Sequence, residues 1–201
     1  MKNIEEVISS EIIAILPLYI DMKGNSTKII TKEENEIYIY KSIRTFLSLL
    51  AKYFMIDLNS SRQYYGKIIG CTNIVPLPFN KDNVFAPLKV RKPISKNDGS
   101  FGYFNIRFIQ DITKKNNKVY VSLEKELSIE ILQGIESARK SLRNANIVKQ
   151  SYCERTGVTA MESQGFYGEF NKPATKGDIA ALRNELMDIK IKLLKSSSSS
   201  V

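Results

Sequence analysis

EIYIYKSIRTFLSLLAKYFM, residues 36–55, changes its hydrophobic period partway along. Ile37 and Ile39 alternate with Tyr38 and Tyr40, the two-residue period of a strand with dissimilar faces. Beyond Ser42 the apolar positions are Phe46, Leu47, Leu50 and Phe54, which fall on one face of a helix. Ser42 stands where an N-cap belongs. A strand therefore passes directly into a core helix, and Asp57, Asn59 and Ser60 read as that helix's end.

Outward from this stretch most signals are strands. EIIAILPLY (11–19) and TKIITKE (27–33) are rich in β-branched residues and are separated by turn residues at 21–25. Downstream, GKIIGCTNIV (66–75) and NVFAPLKV (83–90) read as strands, the second broken at Pro87. FGYFNIRFIQDI (101–112) alternates as one strand, with Phe104, Ile106 and Phe108 on one side. KKNNK (114–118) is a polar turn into VYVSL (119–123), which predicts a hairpin. SIEILQGIESARKSLRNANIV (128–148) reads as an amphipathic helix capped by Ser128. Arg139, Lys140 and Arg143 lie near its C-terminus, where cations oppose the helix dipole.

Strands and helices intermingle without the regular alternation of a parallel sheet. The expected class is α+β: a mostly antiparallel sheet with two packed helices and an extra C-terminal helix. Residues 1–150 form the domain and 151–174 a linker or mobile loop. Residues 175–195 form the last helix and 196–201 a disordered Ser-rich tail. In that helix Ile179, Leu182, Leu186, Ile189 and Leu193 make a narrow heptad-type stripe, suited to an oligomer contact or to packing on its own domain.

Composition narrows the chemistry. Among 201 residues there is no histidine, and there are two cysteines, Cys71 and Cys153. Ser-His-Asp and Cys-His catalysis and Cys₂His₂ zinc sites are thereby excluded. No phosphate-binding glycine loop occurs. The expectation is a non-enzyme without cofactor or metal and with free thiols. The chain shows neither a signal peptide nor a membrane span, which predicts a cytoplasmic protein.

The formal charge is +9, and it is localised. Residues 52–118 hold twelve Lys or Arg against four Asp, which places +8 of the total in one third of the chain. Such an excess is the electrostatic footprint of a surface that meets phosphates, although a solvated basic face can look the same. Its densest part, PLKVRKPISKNDGSFGYFNIRF (87–108), interleaves cations with aromatics. Phe101 and Tyr103 are the stacking candidates for a single-strand binder. Arg62, Arg91, Arg107 and Asn97 are the side chains able to read bases.

AILP (14–17), STKII (26–30), RQYYGKIIGCTNIVPLPFNKDNVFAP (62–87) and SKNDGSFGYFNI (95–106) together resemble, in order and spacing, the ComK competence transcription factors. The resemblance covers roughly residues 10–145. It departs at Tyr64-Tyr65 and beyond about residue 150. It implies an activator that binds paired A/T-rich boxes of duplex DNA, chiefly through the minor groove, and acts as a multimer. In that family the activator switches on genes for DNA uptake and is controlled through a proteolytic adaptor. The expected DNA contacts are Arg62, Lys67, Lys89, Arg91, Lys92, Lys96, Asn97, Arg107, Lys114 and Lys115, with self-association and no membrane partner. The alternatives are an interaction protein that occupies an adaptor or protease, and an RNA or single-stranded DNA binder.

Overall fold

The structure, a computed structural model, describes residues 4–33, 36–95, 98–124 and 127–157, with Arg183, Leu186 and Met187 beyond them. The chain divides into two units, residues 1–158 and 159–201. In the second, the three described residues are helical and exposed. The rest of the expected helix over 175–195, with Ile179, Leu182, Ile189 and Leu193, lies outside the described residues.

The first unit is α+β, as expected, and every strand pairing described is antiparallel. A short helix α1 (Ile4–Ser9) leads into β1 (Ile12–Ile20), β2 (Gly24–Thr31) and β3 (Glu36–Ile39). Helices α2 (Ile43–Tyr53) and α3 (Leu58–Ile68) follow, then β4 (Leu77–Pro78), β5 (Val84–Lys89) and β6 (Phe101–Asn105). A 3₁₀ turn (Ile106–Phe108) leads to β7 (Ile109–Lys115), β8 (Lys118–Leu123), β9 (Ser128–Ile131) and the long α4 (Ile135–Thr156). Six strands form one sheet in the order β3-β2-β1-β6-β5-β4, and β7-β8-β9 form a second.

The larger sheet is covered on both faces, which is why Ile12, Ile13, Ala14 and Ile15 are all buried. Ile15, Ile29 and Phe85 meet Phe46, Leu47 and Leu50 of α2 on one face. On the other, Ala14, Ile30, Leu88 and Phe104 meet Val121, Leu123 and Ile131 of the small sheet and Ala138 of α4. The helices α1 and α2 and the small sheet are thus on opposite sides of the central layer.

Five local readings are corrected. Asp57 does not merely end a helix: its carboxylate accepts the Ser60 N–H at 2.6 Å and caps α3, where the sequence reads as a turn and then a strand. Residues 101–112 are two strands in different sheets. The Asn105 amide donates to the carbonyls of Ile12 (3.3 Å) and Asp82 (3.1 Å), while its oxygen accepts the Arg107 N–H, and this turns the chain. Strand β5 runs through Pro87. Lys89 turns its N–H away from β6 to Gln133 (2.8 Å), so Pro87, two residues earlier, owes β6 no donor. Residues 128–131 pair with β8, and the helix there starts after Gly134. That helix continues to Thr156, so residues 151–156 belong to it and not to a linker.

The expected hairpin is present. Asn116 (φ 48°) and Asn117 (φ 63°) make its two-residue turn, a left-handed pair that asparagine tolerates. Both cysteines are free thiols.

Candidate nucleic-acid interface

Helix α2 buries Ile43, Phe46, Leu47, Leu50 and Ala51, so Arg44, Ser48 and Lys52, spaced by four, line its outer face. Its N-terminus is fixed by Ser42, whose Oγ accepts the Thr45 N–H at 3.3 Å. Four residues separate the end of α2 from α3, and the two helices form the walls of a groove lined by Arg44, Ser48, Lys52, Asn59 and Arg62. Arg62 also lines the adjoining hollow, with Lys67, Gly70 and Thr72. Four cations therefore follow one another along a continuous surface.

Among the described residues none of these four is ion-paired with a carboxylate. The acid that lines the groove, Asp57, is committed to the α3 cap, and the backbone N–H of Ser60 draws its pKa below the ordinary carboxylate value. Tyr103 lies near Arg62: burial pushes that phenol's pKa up, and the nearby Arg62 guanidinium opposes the shift.

The β5–β6 loop adjoins the start of α2. A Cβ on Gly99 would lie 2.7 Å from Cγ2 of Ile43, so glycine is what lets the loop close on the helix. Arg91 donates from Nε to the Gly99 carbonyl (2.6 Å) and from Nη2 to Oδ1 of Asn25 (2.7 Å). The Asn25 amide donates to Asp98 at 2.6 Å. Asp98 in turn accepts the N–H groups of Ile94 (2.9 Å) and Ser95 (2.8 Å) and the Ser95 hydroxyl (3.0 Å). The loop is thus clasped to the β1–β2 hairpin.

Set against the expected contacts, the structure brings some together and separates others. Arg62 and Lys67 share the α2–α3 surface, and Lys92 is exposed on the neighbouring loop. Arg91 is half-buried and holds the loop instead of facing outward. Arg107 pairs with Glu11 at 3.1 Å, a carboxylate also held by Lys32 at 2.7 Å. Lys89 ends β5, half-buried, with its backbone bonded to Leu132 and Gln133. Lys114 and Lys115 sit at the β7–β8 tip, in the small sheet on the far side of the central layer from α2. Lys96 and Asn97 lie outside the described residues.

Tyr103 packs into the α2-facing core, and Phe101 is half-buried, so neither is an open stacking platform. Arg44 and Lys52 are the residues that the sequence reading left out. The signal for them was their i, i+4, i+8 spacing with Ser48, opposite the apolar stripe.

Among the described residues no cluster of His, Cys, Asp and Glu could hold a metal ion, and no helix is long and apolar enough to cross a membrane. The fold and this surface define an α+β domain with a basic helix pair. The chain matches no family model, no curated protein and no solved structure.

Proposed function

We propose that the chain binds A/T-rich duplex DNA through the α2–α3 surface and the adjoining β5–β6 loop. In this reading it is a transcription activator of the competence class that its sequence resembles. The observation that carries the reading is the run Arg44, Lys52, Arg62, Lys67, four cations on one surface with no partner carboxylate among the described residues. Cations held this way release counterions from phosphates at no cost in internal ion pairs. An A-tract narrows the minor groove and deepens its negative potential, which favours the loop's exposed Lys92 as a groove contact.

The test is a titration of labelled A/T-rich duplex, G/C-rich duplex and single-stranded probes across a range of salt. The wild type binds the A/T-rich duplex best, with log Kobs falling steeply against log[salt]. The variant Arg44→Gln/Lys52→Gln/Lys67→Gln changes only exposed side chains, so it folds. Its slope is shallower by about 0.9 for each phosphate that no longer meets a cation. An unchanged slope in this variant, or a preference for the single strand, overturns the proposal.

A further inference from the structure

We infer that Ile94, raised on the β5–β6 loop, is an apolar wedge that enters the DNA between base pairs from the minor-groove side and bends the duplex. This rests on the DNA-binding reading and names the residue that makes the bend.

Ile94 is 74% exposed, between the exposed Pro93 and Ser95. A single exposed isoleucine is unremarkable on a protein surface. What sets Ile94 apart is the hydrogen bonding at its base. Its own N–H and that of Ser95 are fixed by Asp98, and Asp98 is fixed by Asn25. Asn25 is held in turn by Arg91, which also grips the Gly99 carbonyl. The loop that carries this apolar tip is therefore braced at both ends, and the tip contributes nothing to the core. Prying apart a base step costs stacking free energy, so a wedge has to be stiff. A β-branched side chain after a proline meets that need in both side chain and backbone.

Its neighbourhood fits a polyanion. Lys92 is exposed two residues away, and the contact of Gly99 with Ile43 puts the loop beside the turn of α2 that carries Arg44. The one acid of the described loop, Asp98, has its oxygens engaged by the donors that brace it. Met55, by comparison, lines a cleft with Asp57, Tyr64, Tyr152 and Arg155 and does not line the basic groove.

The experiment uses the full chain and an A/T-rich duplex with dyes at its ends and 2-aminopurine at its central steps. The wild type brings the ends together and raises the 2-aminopurine signal as the step unstacks. Ile94→Ser loses both signals and about tenfold or more in affinity. Its salt slope stays at the wild-type value, because Ile94 touches no phosphate. Ile94→Leu retains the bend. Asp98→Ala makes the chain more positive by one charge, so simple electrostatics predicts tighter binding. The braced wedge predicts weaker binding and no bend. If Ile94→Ser bends the duplex like the wild type, the wedge is overturned while DNA binding stands. If the wild type itself shows no salt-dependent duplex affinity, both readings fall.

Discussion

Asp98 shows how much one carboxylate can organise. Its pKa is drawn down to about 2, first by the Asn25 amide and then by the backbone N–H of Ser95. The folded-state value lies below the ordinary 3.8, so its contribution to stability is complete above about pH 4 and is lost as pH falls through about 2. A carboxyl-carbon NMR titration should therefore place the Asp98 midpoint near 2, with the amide shifts of Ile94 and Ser95 moving in step. Asp98→Asn should be less stable than the wild type at neutral pH, and the gap should close as pH falls from about 4 toward 2. A midpoint near 4 would mean that the carboxylate is not braced as described.

At the scale of the element, α2 and α3 end in the same way with different residues. Each closes with a pair of reversed bonds: Ile56 N–H to Ala51 O (2.8 Å) and Met55 N–H to Lys52 O (3.1 Å) in α2, Cys71 N–H to Gly66 O (2.8 Å) and Gly70 N–H to Lys67 O (3.4 Å) in α3. That motif needs one left-handed residue, and it is Gly70 (φ 63°) in α3 but Met55 (φ 55°) in α2. Met55 is 95% exposed, so its side chain gains little in compensation. Met55→Gly should raise the unfolding free energy by about 1 kcal/mol, read as a higher urea midpoint at unchanged m-value. A lower midpoint would show that the methionine side chain is needed where it stands.

The same two helices mark what could be read in advance. Helix α2 was legible because five of its residues are buried at helical spacing behind a serine cap. Helix α3 was not, because only Tyr65 and Gly66 are buried along it. A mostly polar helix has no apolar period to read, and its aspartate cap resembles a turn. The break between β6 and β7 was hidden for another reason. Alternation continues through Phe104, Ile106 and Phe108, while the residue that bends the chain, Asn105, does so by reaching Ile12, 93 positions away. Ile129 and Ile131 fit either a helix or a strand, and pairing with Val121 and Val119 decides between them. Of the proposed surface, the cations of α3 were legible from charge density. That Arg91 is tied to Asn25 and Arg107 to Glu11 depends on tertiary contacts that no local pattern encodes.

For the molecule as a whole the question is whether total charge or its placement governs binding. Lys52 and Lys67 lie on the α2–α3 surface, and Lys114 and Lys115 lie at the tip of the hairpin in the opposite layer. Converting either pair to glutamine lowers the formal charge from +9 by the same two units. At physiological salt an exposed charge is screened beyond roughly 8 Å, so a lysine away from the bound phosphates contributes to steering and little else. A lysine at a phosphate releases a counterion, and removing that lysine flattens the salt slope by about 0.9. Lys52→Gln/Lys67→Gln should accordingly reduce the slope by roughly 1.8, while Lys114→Gln/Lys115→Gln leaves it unchanged and slows association only at low salt. Equal reductions from the two variants would mean that net charge alone attracts the duplex. A larger reduction from the hairpin variant would move the interface to the small sheet. The pair of titrations therefore decides which side of the central sheet faces DNA.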